Sequence, residues 1–150
     1  MSKAMAFAVD RSRTIISSLI HGGRVSGLDV AWLRREVFGE GEVSREAADE
    51  LFAVERSGIV KAPEWTEFFV EMICEHIIWQ SRPTGVLDEE QAQWLIAQAD
   101  QAMSVDALAV LVNVLAEAHR VPRWFLAAVR ARATRGWPGV DEALRAAMAS

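Results

Sequence analysis

The sequence predicts a compact all-α protein, a bundle of about eight helices. No segment alternates apolar and polar residues for long enough to predict a strand, and tyrosine is absent while Ala, Leu, Glu and Arg are plentiful. Apolar residues instead recur every three or four positions, the spacing of one helix face. The chain has 150 residues, of which 51% are hydrophobic and 25% charged. That composition excludes a disordered chain and predicts a single domain over residues 1–150.

Helix starts and stops are marked along the chain. Ser44 and Ser104 are suited to cap the third and sixth helices, since a serine hydroxyl accepts a first-turn N–H. Gly58 ends the third helix, Pro63 fits the first position of the fourth, and Asp88 to Gln91 has the capping-box spacing. The predicted helices cover residues 3–20, 29–38, 44–56, 63–80, 88–100, 105–119, 122–135 and 141–148.

The fourth and sixth helices are predicted to form the centre of the core. The sixth is apolar almost all round, which is typical of a central helix. The fourth carries an apolar stripe at three- and four-residue spacing, and His76 on it is predicted to be a hydrogen-bonded core residue. The stripe consists of Trp65, Phe68, Phe69, Met72, Ile73 and His76.

An internal repeat connects two parts of the chain. Residues 41–53 align with residues 85–97, and glycine, cap, Glu, Ala and Leu positions recur in register. A second, more apolar helix follows each copy, so the pattern predicts a duplicated helical hairpin. The alternative is coincidence, because any loop that leads into a helix favours glycine, a cap and glutamate.

The segment Glu-Gly-Glu-Val-Ser-Arg-Glu, residues 40–46, resembles the Asp-Gly-x-apolar-Ser/Asp-x-x-Glu hairpin loop of the tellurite-resistance TerB-like proteins. The layout of residues 10–120 is similar as well. The resemblance implies a small all-helical module, divalent-cation binding at the acidic loop, and a role in stress responses or membrane-associated complexes. Here Glu40 replaces the leading aspartate, and Thr84 stands there in the second copy.

The same loop offers a candidate metal site. Glu40, Glu42 and Glu46 supply oxygen ligands of the kind that Ca²⁺ and Mg²⁺ prefer. Their spacing is not that of an EF-hand, and the alternative is a solvated loop whose charges favour a helix N-terminus. No other cofactor is predicted, because residues 22–27 lack both the Lys-Ser/Thr and the preceding strand of a phosphate-binding loop.

Charge is unevenly distributed, and the acidic part lies in the middle. The whole chain has a net charge of −5, but residues 46–100 carry three basic and twelve acidic side chains. Glu67, Glu71 and Glu75 recur every four residues on the fourth helix, without the Glu-x-x-His pairs of a di-iron site. They predict a solvent-facing acidic ridge able to receive a basic partner.

A basic cluster lies near the seventh helix. The cluster consists of Arg120, Arg123, Arg130, Arg132 and Arg135. Trp124 lies beside Arg123, and Arg and Trp are enriched among interface hot spots, so Arg120, Arg123, Trp124 and Arg130 are the candidate contact residues. The cluster is therefore a candidate interaction surface, with the alternative that Trp124 packs inward. The acidic ridge and this basic helix have opposite charges and can also meet across a homodimer.

No catalytic motif accompanies these surfaces. The sequence therefore predicts a non-enzymatic module that acts through protein–protein contact, with a divalent-cation-responsive module as the alternative. The acidic balance argues against nucleic-acid binding, and the longest apolar segment, residues 107–116, is too short to span a membrane. Cys74 is the only cysteine, which indicates a reducing compartment and predicts a cytoplasmic location.

Overall fold

The computed structural model describes the backbone of residues 3–137 and the side chains of residues 13–137. This part of the chain is mostly helical, which confirms the all-α class. The predicted eighth helix, residues 141–148, lies outside the described residues. The seven α-helices described are α1 (Lys3–Gly22), α2 (Gly27–Trp32), α3 (Arg45–Ser57), α4 (Pro63–Cys74), α5 (Glu89–Ala102), α6 (Val105–Glu117) and α7 (Phe125–Arg135).

The predicted caps are confirmed. Ser44 and Ser104 accept hydrogen bonds from the third residue of α3 and of α6, at 3.0 and 3.1 Å. Asp88 and Gln91 form a reciprocal capping box, and Pro63 is the first residue of α4. Gly58 ends α3 in the left-handed region at φ +69°. Local side-chain chemistry therefore sets most helix ends.

Some predicted boundaries are wrong. α2 begins at Gly27 instead of residue 29, because Ser26 and Asp29 form a capping box of their own. α6 ends at Glu117, two residues early, and α7 begins at Phe125, three residues after the predicted proline. Apolar spacing does not determine a helix end to within one or two residues.

Two predicted helices change geometry near their ends. α2 continues into a π-helical turn at Leu33–Val37, and α4 into another at Glu75–Trp79. The Gln80 N–H donates to the carbonyl of Glu75, five residues earlier, at 2.9 Å. Such wide turns are rare and often occur at functional sites. Glu75 and Trp79 of the second turn line the groove described below.

The prediction that no strand is present is wrong at one place. β1 (Arg24–Val25) and β2 (Val60–Lys61) form a two-stranded parallel pair. Strands of two residues are too short to leave an alternating pattern, so the sequence carried no signal for them. The pair joins the end of α1 to the segment before α4.

The core lies where the prediction placed it, around α4. α4 packs along α6, α3 packs against α1 and α5, and α6 also contacts α5 and α7. Trp65, Phe68 and Phe69 are fully buried, and the rings of Trp65 and Phe69 stack at 5.7 Å. No helix in the described part of the chain is long and apolar enough to cross a membrane.

α6 is less central than its apolar sequence predicts. Ala107, Val110, Leu111 and Val114 are buried, but Val105 and Val112 are 83% and 49% exposed. Among the described elements, α6 packs mainly against α4, α5 and α7, and these two valines lie on a side that meets solvent. An all-round apolar sequence therefore does not by itself establish a central position.

Candidate interaction site

A groove of about 510 Å³ runs between α4 and α6. Its floor contains apolar side chains, and four carboxylates line it, three from α4 and its π-helical turn and one from α6. We call it the acidic groove. It is lined by Pro63, Thr66, Glu67, Val70, Glu71, Cys74, Glu75, Trp79, Asn113 and Glu117.

Hydrogen bonds between the two helices hold the groove together. Thr66 donates to Asp106 at 2.6 Å near one end. Asn113 of α6 donates to the sulfur of Cys74 at 3.2 Å. Trp79 Nε1 donates to Glu117 Oε1 at 3.2 Å, and its indole remains 37% exposed. The groove is therefore a fixed feature with an exposed aromatic side chain.

Cys74 contributes packing to the groove and no reactive thiolate. Its side chain is buried, and burial raises the pKa of the thiol to about 12. A thiol with such a pKa stays protonated at neutral pH and is a weak nucleophile.

The predicted acidic ridge forms one wall of this groove. Glu67 and Glu71 are exposed, whereas Glu75 is half-buried. Glu71 pairs with Arg34 of the π-helical turn after α2 at 2.7 Å. The sequence analysis missed Glu117, because α6 comes next to α4 only in the folded chain. With one cation beside four carboxylates, the groove is negatively charged.

The basic cluster divides into exposed and structural residues. Arg120, Arg123 and Arg130 are exposed, and none forms an ion pair with another described residue. Arg132, in contrast, forms a hydrogen-bonded ion pair with Asp100 of α5. Trp124 is half-buried, and its Nε1 donates to Glu89 of α5 at 2.8 Å, so part of the ring stays at the surface.

The acidic loop places only two of the three predicted metal ligands together. Glu40 and Glu42 line a second cleft of about 530 Å³ with His76, Gln80 and Arg82, but Glu46 does not. Across the described side chains, no group of three or more His, Cys, Asp and Glu residues is arranged to hold a metal ion.

His76 sits at the base of that cleft, and both ring nitrogens have partners. Nδ1 lies 2.8 Å from the carbonyl oxygen of Val43, and Nε2 accepts from Arg45 at 3.3 Å. Burial lowers the pKa of His76, which keeps the ring neutral. The hydrogen-bonded role predicted for His76 is confirmed, and the residue is half-buried.

Glu55 is a buried carboxylate that the sequence did not predict to be structural. Glu55 is 3% exposed and accepts hydrogen bonds from Trp65 Nε1 and Ser104 Oγ, both at 2.6 Å. Burial raises the pKa of this carboxyl group. Its position four residues after Leu51 on the apolar face of α3 was the available signal. Glu55 ties α3 to α4 and to the start of α6.

Comparisons of the chain with family models, curated proteins and solved structures found no match.

Proposed function

We propose that this protein is a non-enzymatic, TerB-like interaction module that binds a basic amphipathic helix of a protein partner in the acidic groove. The observation that carries the proposal is the groove itself, which is lined by four carboxylates together with apolar side chains such as Val70 and Trp79. In keeping with the TerB-like resemblance, the module acts in the cytoplasm in a stress response.

The groove suits a helix because it offers both kinds of contact that an amphipathic helix makes. Val70 and Trp79 supply apolar surface, and helices bind grooves through apolar residues spaced over successive turns. Glu67, Glu71 and Glu75 repeat every four residues along one wall, so they can meet basic residues on successive turns of the bound helix.

The duplicated hairpin is part of this proposal. Ser44 and Asp88, 44 residues apart, cap α3 and α5 in the same way. Just before α3 and just before α5, the main chain is hydrogen-bonded to a residue near the end of the helix that comes next, α4 and α6 respectively. His76 bonds the Val43 carbonyl, and the Arg120 carbonyl, 44 residues later, bonds the Leu87 N–H. The bonded positions correspond at the same offset, which supports a repeat, although a side chain makes the first contact and the main chain makes the second.

The cation-responsive alternative receives less support from the geometry. Glu40 and Glu42 share a cleft, but Glu46 lies outside its lining. Thermal melting with and without millimolar Ca²⁺, Mg²⁺ and Zn²⁺ separates the two functions, since a ligand that binds the folded state raises the Tm. We expect no shift, and a clear rise would favour the cation-responsive module.

The groove is tested with a fluorescein-labelled amphipathic Leu/Lys helix as the probe. We expect salt-sensitive binding to the wild-type chain and a loss of at least about tenfold in affinity for Glu67→Gln/Glu75→Gln, since removing two charges costs about 1.4 kcal/mol or more. The control Glu40→Gln/Glu42→Gln removes equal charge outside the groove and should leave binding unchanged. Equal losses in both variants, or no binding at a protein concentration where the chain is monomeric, would overturn the proposal.

A further inference from the structure

We infer that the helix received by the acidic groove is α7 of a second copy of this chain, so that two copies form a symmetric dimer and exchange these helices. The inference rests on the proposed function of the groove and names its occupant.

One face of α7 and the turn before it has the chemistry that the groove requires. Arg123, Leu126, Ala127 and Arg130 follow the spacing of a helix face, and all four are exposed. Leu126 is 47% exposed although it is a large apolar side chain. The face therefore places an apolar pair between two cations that have no ion-pair partner among the described residues.

The charge spacings of the two surfaces agree. Glu67 and Glu75 are eight residues apart, about 12 Å at 1.5 Å per helical residue, and Arg123, in the turn before α7, is seven residues from Arg130, a span of similar size. Flexible arginine side chains absorb a difference of this size. When Arg123 and Arg130 each pair with a carboxylate of the groove, Leu126 lies between the two ion pairs. It then packs against the apolar part of the groove near Val70.

A symmetric exchange is compatible with the arrangement around α6. Asp106, Asn113 and Glu117 are on the side of α6 that faces α4 and the groove. α7 packs against the same helix elsewhere. The exposed side carries Val105 and Val112, seven residues apart. We place the two-fold axis along these valines and parallel to α6, the orientation that brings each groove to the other copy's α7 while both copies use the same patch.

The valine stripe adds an independent reason to expect a second copy. Val105 and Val112 are 83% and 49% exposed, and their burial against the same stripe of the partner is favourable. A basic helix of another protein would fill the groove and leave these valines in water. The dimer accounts for the groove, the basic face and the apolar stripe together.

The test is the oligomeric state of the full chain, measured by sedimentation velocity over a wide concentration range. We expect a wild-type dimer that dissociates as salt is raised. Arg123→Glu/Arg130→Glu and Glu67→Arg/Glu75→Arg should each be monomeric, with circular dichroism to establish that both are folded. The control Arg24→Glu/Arg35→Glu changes two exposed arginines elsewhere and should remain a dimer.

Mixing the two monomeric variants provides the decisive measurement. In the mixed pair, the acidic α7 of Arg123→Glu/Arg130→Glu binds the basic groove of Glu67→Arg/Glu75→Arg. The wild-type α7 of the second variant binds the wild-type groove of the first, so both contacts are restored. We expect a heterodimer on mixing. Failure to associate, or a dimer that survives either charge reversal, would overturn the inference.

The two proposals fail in distinguishable ways. If the wild-type chain is monomeric at every concentration but the Leu/Lys probe still binds in the groove, the dimer is wrong and the proposed function stands. If the chain is monomeric and the probe does not bind either, both are wrong.

Discussion

The guanidinium group of Arg132 donates two hydrogen bonds to the carboxylate of Asp100, at 2.6 and 2.8 Å. Trp137 Nε1 donates to the same carboxylate at 2.6 Å, and the Trp137 side chain is buried. Hydrogen bonding to Asp100 raises the pKa of Arg132. Asp100 therefore holds the C-terminal end of α7 and the turn that follows it against α5.

Arg132→Ala should destabilise the fold far more than Arg135→Ala, a change on the same helix outside the proposed dimer contact. The first change leaves the half-buried Asp100 carboxylate without its charged partner, which costs about 2 kcal/mol. The second removes an exposed arginine from the same helix and should change the free energy of unfolding by less than about 0.5 kcal/mol. Urea denaturation measures both, and equal effects would show that the Asp100 contact does not anchor α7.

The burial of Glu55 predicts a pH dependence of stability. Because its pKa is raised in the folded state, the folded protein favours the protonated carboxyl group. The stabilisation is full below the ordinary carboxylate pKa, near about 4.3, and is lost as the pH rises through the higher folded value.

Glu55→Gln tests that dependence. The amide can accept from Trp65 and donate to Ser104, and it does not titrate. The stability of the wild-type protein relative to Glu55→Gln should therefore decrease as the pH is raised from about 4.3 toward neutrality. Glu46→Gln, at an exposed position on the same helix, is measured in parallel to correct for the loss of a negative charge. A constant difference between wild type and Glu55→Gln would contradict the prediction.

His76 should remain neutral at pH values where an ordinary histidine is partly protonated. Burial lowers its pKa, with a further contribution from the nearby Arg45 charge. A lowered histidine pKa stabilises the fold above the unfolded pKa, near about 6.5, and that contribution is lost as the pH falls through this value toward the folded one.

NMR titration of the ring nitrogens measures this directly. We expect a midpoint below about 6.5 and the tautomer protonated at Nδ1, which donates to Val43. Arg45→Met should move the midpoint upward, since it removes a neighbouring positive charge. A wild-type midpoint above the ordinary value, or a downward movement in Arg45→Met, would refute the arrangement.

Gly85→Ala should destabilise the protein more than Gly41→Ala. Both glycines have positive φ, +81° and +77°, and an alanine there costs about 1 kcal/mol. A Cβ at Gly85 would also lie 2.5 Å from Cδ2 of His119, whereas nothing lies within 4 Å of one at Gly41.

Thermal unfolding of both variants, with and without His119→Ala, isolates the contact. Adding His119→Ala should restore part of the Tm that Gly85→Ala loses, because it removes the side chain that the new Cβ would clash with. It should restore none of the Tm that Gly41→Ala loses, since no such clash exists there. Recovery in both backgrounds, or in neither, would count against a contact between residues 85 and 119.

The sequence alone determined the helical class, most helix starts and the apolar stripe of α4. These features depend on neighbours within one or two turns. Ser44, Asp88 and Ser104 cap their helices through hydrogen bonds that span three residues. The sequence also predicted the acidic wall of Glu67, Glu71 and Glu75, because these three residues follow one another on a single predicted helix.

Tertiary structure decided the groove, the division of the basic cluster and the roles of Glu55 and Trp79. Glu117 lines the same groove as the α4 carboxylates because α6 packs beside α4. Arg132 is not part of the exposed basic surface because it is hydrogen-bonded to Asp100 of α5. These pairs are 32 or more residues apart, and their distances follow from helix packing. Periodicity within a helix does not encode which face of one helix meets which face of another, so only the folded chain places these charges together.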